Sequence, residues 1–153
     1  MSKSLFIATL EPGGGKSVVA LGIMELLSRR LQNIGFFRPI IPDVKRDNNI
    51  QLILTRYNLR PAYEDMYAYK HEEARHMVSH GQYDLLLKTI LVKYKALESR
   101  CDFVLCEGTD YTGVSSAFEF DFNAGVANNL GCPILAVVNG RGKSPEEILD
   151  ATR

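Results

Sequence analysis

Four short apolar runs punctuate the chain: Ser4–Thr9, Phe36–Ile41, Asp102–Glu107 and Pro133–Asn139. Each is too short for a helix and apolar on successive rather than alternate residues, the pattern of a strand buried on both faces. Between them, apolar positions recur at helical spacing. Lys16–Ile34 carries Val19, Ile23, Leu26, Leu27 and Leu31 on one stripe, with Gly35 as its C-terminal stop. Asn49–Tyr57 and Glu72–Ser79 predict shorter helices. Tyr83–Arg100 predicts a long one whose apolar face holds Leu86, Leu87, Ile90, Leu91, Tyr94 and Leu97. Asp121–Leu130 is helical up to Gly131, and Ser144-Pro145-Glu146-Glu147 opens a last helix with a capping box and Pro at its first position. Pro39, inside the second run, marks an edge strand or a strand end. Doubly apolar strands alternating with helices predict an α/β fold, a mainly parallel open sheet with helices on both faces. No repeat or composition shift divides the chain, so residues 1–153 are expected to form a single domain.

In an open parallel sheet, ligands bind at the carboxyl ends of the strands. The first of those ends carries Leu10-Glu11-Pro12-Gly13-Gly14-Gly15-Lys16-Ser17. Strand, glycine-rich turn, Lys-Ser and helix is the layout of a phosphate-binding P-loop. Glycines let backbone N–H groups close around phosphate oxygens, and the helix N-terminus adds donors and a positive dipole end. Lys16 is placed to reach the β- and γ-phosphates of ATP, and the Ser17 hydroxyl to hold Mg²⁺. The pattern departs from the usual one at Leu10, where a Gly is expected. A ligand-free helix-entry turn is one alternative. A dinucleotide fingerprint is another, for which Gly13 and Gly15 fit and Val18 does not.

Other acids and cations fall on the same rim. Glu107 closes a buried strand and precedes Gly108, the position of an acid that holds Mg²⁺ directly or through water. Asp43 and Asp47 follow the second strand, where a further Mg²⁺ contact is common, and Arg38 is suited to pairing with an anion. Lys45 and Arg46 are expected in solvent. Asn139 either touches a base or initiates the turn at Gly140. Glu11 puts a carboxylate beside the phosphate site, which requires metal, Lys16 or a substrate group to offset it.

Composition narrows the function classes. Lys plus Arg number 18 and Asp plus Glu 18, so no charge excess points to nucleic acid or an anionic membrane. No apolar run approaches a membrane span, and the N-terminus runs straight into a strand, so a cytoplasmic protein without a signal peptide is expected. Cys101, Cys106 and Cys132 form no C-x-x-C pair and are expected as small buried hydrophobes. His76 and His80 share a helix face near His71, with a solvated or capping role expected in the absence of a third metal ligand. Tyr63, Met66, Tyr67 and Tyr69 suit either a homo-oligomer interface or a cap on the domain's own core.

The segments Thr9–Ser17, Phe37-Arg38-Pro39-Ile40 and Val104-Leu105-Cys106-Glu107-Gly108 resemble dethiobiotin synthetase over most of the chain. Asp102–Gly108 and Asn123–Ile148 also resemble the N-terminal, dethiobiotin-synthetase-like domain of the long form of phosphate acetyltransferase. The resemblance implies a P-loop NTPase-type fold binding ATP·Mg²⁺. Nucleotide contacts then fall on Glu11, Gly13, Gly14, Gly15, Lys16, Ser17 and Arg38, and metal contacts on Ser17, Asp47 and Glu107. It further implies a regulatory domain, with acetyl transfer between acetyl phosphate and coenzyme A carried by a C-terminal domain of a longer parent chain. The stop at Arg153, just inside the last helix, agrees with a C-terminally truncated fragment. The alternatives are an ATP-dependent ligase similar to dethiobiotin synthetase and a stand-alone P-loop ATPase or binding module. The ligase family's catalytic Lys falls on Arg38, whose guanidinium cannot reproduce a lysine's compact ammonium or its proton chemistry.

Overall fold

The computed structural model describes residues 3–10, 15–109 and 116–152. Strands β1 (Lys3–Thr9), β2 (Ile34–Ile41), β3 (Tyr67–Lys70), β4 (Phe103–Glu107) and β5 (Ile134–Val137) form one sheet in the order β3-β2-β4-β1-β5, with all pairings parallel. The connections carry α1 (Lys16–Ser28), α2 (Asn48–Arg56), α3 (His71–Ser79), α4 (Tyr83–Glu98), α5 (Ser116–Leu130) and α6 (Pro145–Ala151). The sequence expectation of a parallel α/β sheet holds.

Strand alternation divides the core into two layers. Phe6, Ala8, Phe37, Val104 and Cys106 face α3, α4 and α5, where they meet Ala74, Leu86, Ile90, Tyr94 and Val126. Ile7, Phe36 and Leu105 face the other way, onto Ala20 and Met24 of α1 and Ile50 and Ile53 of α2. Strands read as apolar on both faces because both faces are covered. At the β5 edge, Ile134 and Leu135 are exposed.

Three expectations are corrected. The first helix ends at Ser28 rather than Ile34. Asn33 leads into the sheet instead, its carbonyl accepting from the Asp102 N–H at 2.6 Å just before Ile34 pairs with Phe103. Gly35 is consequently a strand residue and not a helix stop. A Cβ there would lie 2.9 Å from Cys101 Sγ and 3.3 Å from Leu97 Cγ, so glycine admits the end of α4 against the sheet. Pro39 lies in a strand flanked on both sides, but the β4 register ends at Phe37, leaving the proline beyond that ladder.

Tyr67–Lys70 is a strand that the apolar pattern does not announce. It is four residues long, half-buried and at the sheet edge, entered through a 3-10 turn at Tyr63–Met66. Of the aromatic cluster here, Tyr63 and Met66 are buried in the chain's own core, and Tyr67 and Tyr69 pack partly buried against it. The three thiols are free, with Cys106 and Cys132 buried as expected. Desolvation pushes the Cys106 thiol up, so it is no available thiolate. His76 and His80 stack at 4.1 Å, and a ring nitrogen of His80 lies 2.8 Å from the His76 carbonyl at the end of α3, a capping role. Among the described residues no group of three His, Cys, Asp or Glu could hold a metal, and no helix is long and apolar enough to cross a membrane.

Candidate functional site

The carboxyl ends of β1, β2 and β4 lie side by side because β4 inserts between β1 and β2. This strand order brings together residues that are far apart in sequence. Gly15, with φ of 79°, holds the left-handed turn that starts α1, and its carbonyl accepts from Val18 and Val19. No side-chain hydrogen bond caps α1 and no acid lies in its own first turn, so the negative charge nearest its start among the described residues comes from another element, Glu107 of β4. Helices α2 and α6, in contrast, are capped by Asp47 and Ser144.

Among the described residues, four charged side chains are buried at this rim. Relative exposure is 4% for Lys16, 3% for Arg38, 3% for Asp47 and 0% for Glu107. Their formal charges sum to zero, which is how so much charge is tolerated out of water. Arg38 Nη1 donates to Asp47 Oδ1 at 2.7 Å, and Arg38 Nε lies 4.0 Å from Glu107 Oε2. The other Asp47 oxygen caps α2 by accepting from the Ile50 N–H at 3.0 Å, and the Asp47 N–H donates to Tyr63 Oη at 2.6 Å. Ser17 Oγ donates to Glu107 Oε1 across 3.3 Å, joining the start of α1 to the end of β4.

The sequence-predicted residues Lys16, Ser17, Arg38, Asp47 and Glu107 thus share this rim, with Gly15 at its start. Glu11, Gly13 and Gly14 lie outside the described residues. Asp43 is drawn elsewhere, its Oδ1 accepting from the Glu72 N–H at 3.1 Å at the start of α3. Asn139 accepts from the Arg141 N–H at 3.0 Å, the turn-initiating alternative. Arg46 lies 4.2 Å over the Tyr63 ring and donates to Gln51 Oε1.

Two asparagines escape the sequence analysis. Asn49 Nδ2 donates to Ser17 Oγ at 2.9 Å and to Glu107 Oε1 at 3.0 Å. Its only sequence signal is its place two residues after the cap of a helix that begins at the rim. Asn123 on α5 clamps the backbone after β4, accepting from the Thr109 N–H at 2.9 Å and donating to the Thr109 carbonyl at 3.0 Å. Gly108 makes room for it, since a Cβ there would lie 2.9 Å from Asn123 Cγ. Asn123→Ala strands two buried backbone groups. It is expected to cost about 2–3 kcal/mol in urea-induced unfolding, and a loss within experimental error would show that the clamp carries no stability.

An AAA domain family matches residues 3–152, and the chain belongs to that family. It is similar to the phosphate acetyltransferase of Nitratidesulfovibrio vulgaris, 49% identical over 156 residues that cover 100% of this chain and 22% of that protein. It is 44% identical over 147 residues to the phosphate acetyltransferase of Synechocystis sp., covering 94% of this chain and 21% of that protein. The phosphate acetyltransferase of Haemophilus influenzae is 23% identical over 157 residues, which cover 98% of this chain and 21% of that protein. The chain therefore spans about a fifth of the length of the curated relatives it matches.

Proposed function

We propose that this AAA-family domain binds a nucleoside triphosphate with Mg²⁺ and serves as a regulatory part of a phosphate acetyltransferase, whose acetyl transfer is carried elsewhere in the parent chain. The observation that supports it best is the meeting of Ser17, next to the buried Lys16 at an uncapped helix start, with Glu107, at the end of a buried strand. Hydroxyl and carboxylate are hard oxygen donors suited to Mg²⁺. Ser17 Oγ and Glu107 Oε1 stand 3.3 Å apart. That is close to the ~3 Å between neighbouring oxygens around a cation bound at about 2.1 Å in octahedral geometry.

Ser17 and Glu107 would hold the cation, which neutralises phosphate charge. Lys16 supplies the phosphate-facing positive charge, and the α1 N-terminus supplies backbone donors. Asp47 acts on this reading mainly by holding Arg38 and starting α2. With Arg38 engaged by Asp47, the ring-closing ligase reading loses the cation it would need at that position. The expected partners are the nucleotide, a further copy of the chain and an acetyltransferase domain of the same polypeptide. The expected compartment is the cytoplasm.

Calorimetric titration of ATP with Mg²⁺ into the wild-type chain and Lys16→Ala tests the reading. Binding by the wild type and a loss of at least about tenfold in the variant, the worth of one charge-assisted contact, is the expected result. Equal binding by both would sink the assignment.

A further inference from the structure

We propose that Thr109 is a positioning residue for the cation site: its hydroxyl fixes the gap between the ends of β2 and β4, and so sets where the Glu107 carboxylate stands relative to Ser17 and Arg38. The inference rests on the nucleotide reading above for the identity of the cation, and adds to that site a residue outside its ligand set.

The β2–β4 register ends at Phe37 and Cys106. Carried onward, it sets Arg38 opposite Glu107, Pro39 opposite Gly108 and Ile40 opposite Thr109. Those strand ends bear the charged rim, and backbone hydrogen bonding between them is interrupted. Pro39 has no N–H to donate, and the Gly108 N–H goes the other way, to the Ile7 carbonyl of β1 at 2.7 Å. A side chain spans the gap instead. Thr109 Oγ1 donates to the Ile40 carbonyl at 3.2 Å, and Thr109 is fully buried.

The hydroxyl can act as a fixed post because the backbone that carries it is itself held. Asn123 of α5, also fully buried, accepts from the Thr109 N–H at 2.9 Å and donates to the Thr109 carbonyl at 3.0 Å. The end of β4 is thus tied to β1 through Gly108, to α5 through Asn123 and to β2 through the Thr109 hydroxyl. The last tie bears directly on the spacing across which Arg38 Nε and Glu107 Oε2 stand 4.0 Å apart. Twisted strands splay past their last shared hydrogen bond. Without the hydroxyl, Glu107 follows β1 away from β2, and its 3.3 Å approach to Ser17 Oγ changes with it. Mg²⁺ demands near-ideal octahedral geometry, so a displacement of about a few tenths of an ångström weakens its site.

The test compares the 1–153 chain as wild type, Thr109→Val and Thr109→Ser. Valine keeps the branched shape and loses the hydroxyl; serine keeps the hydroxyl. Thr109→Ala is read in place of the valine variant should that one lack the wild-type far-UV circular dichroism spectrum. ATP binding is measured by calorimetry in EDTA and across a Mg²⁺ series. The expected result is a half-saturating Mg²⁺ concentration roughly tenfold higher in Thr109→Val, the lower end of what losing an outer-shell support costs a metal site. Thr109→Ser is expected to restore the wild-type requirement, with ATP affinity in EDTA unchanged throughout. An unchanged Mg²⁺ requirement in Thr109→Val overturns the proposal. So does an equal rise in Thr109→Ser, which would make shape rather than the hydroxyl the cause. A parallel fall of ATP affinity in EDTA overturns it too, by showing that Thr109 serves only the fold at large. The Mn²⁺ paramagnetic resonance signal, titrated without nucleotide, separates this inference from the nucleotide reading. If neither the wild type nor Lys16→Ala binds ATP, the nucleotide reading fails. The positioning role then stands if the wild type and Thr109→Ser hold Mn²⁺ more tightly than Thr109→Val, and falls if the three are alike.

Discussion

Asp47→Ala is expected to destabilise the domain by about 3–5 kcal/mol, the cost of leaving one member of a buried ion pair without its partner. Arg38 and Asp47 meet at 2.7 Å with side chains only 4% and 5% exposed. Removing the carboxylate takes the nearest counter-charge from a guanidinium that water cannot reach and leaves its longer, 4.0 Å approach to Glu107. It also removes the cap on the Ile50 N–H, worth about 1 kcal/mol by itself. Urea unfolding of three variants divides the loss. Asp47→Asn keeps a capping oxygen and loses the charge. Asp47→Ala loses both. Arg38→Met paired with Asp47→Leu removes both charges and is expected to recover part of the stability, less whatever Arg38 contributes beside Glu107. A loss for Asp47→Ala near the value of a cap alone would show that the buried pair is not holding this rim together. Because the pair is shielded from solvent, its contribution is expected to change little with added salt, unlike that of the exposed Arg100–Asp65 pair.

Phe37→Ala is expected to be about as costly, 3–5 kcal/mol by analogy with large-to-small changes in other cores. Phe37 is fully buried, and its ring meets Tyr94 at 5.9 Å and 64° in an edge-to-face contact. The two rings tie the middle of β2 to α4, and the surrounding strand backbone cannot collapse into the space left. At roughly 2–4 °C per kcal/mol for a domain of this size, calorimetry is expected to show a Tm lower by about 6–20 °C. Phe37→Leu fills most of the volume and is expected to lose less than half as much. A shift of only a degree or two for the alanine variant would mean that the α4 layer repacks freely, against the contact geometry.

Local pattern was sufficient for the strands covered on both faces, because an apolar run such as Val104-Leu105-Cys106 has no other folded use. It was sufficient, too, to set Lys16 and Ser17 at a helix start and Glu107 at a strand end. It failed where a tertiary contact decided the outcome. Asn33 continues the helical register of its neighbours, yet hydrogen bonds with Asp102 hold it at the entrance to β2. Gly35 resembles a helix stop until Leu97 and Cys101 are seen against it. Tyr67–Lys70 is too short and too exposed to stand out beside aromatic neighbours that serve the core. Asn49 and Asn123 carry no motif, and their importance exists only once residues 17, 107 and 109 have been brought to them.

The place of β1 in the strand order has a consequence for how the polypeptide is made. Lys3–Thr9 is made before every other strand of the sheet, but its two neighbours are Phe103–Glu107 and Ile134–Val137. At bacterial and eukaryotic elongation speeds of about 5–20 residues per second, roughly 5–20 seconds pass before β4 exists. Through that interval Leu5-Phe6-Ile7-Ala8 has no docking site, while β2 and β3, adjacent in sheet and sequence alike, are already able to associate. The nascent chain therefore carries an unsheltered β-prone segment while residues 10–102 are made, and the centre of the sheet closes only once Phe103–Glu107 and Ile134–Val137 have been translated.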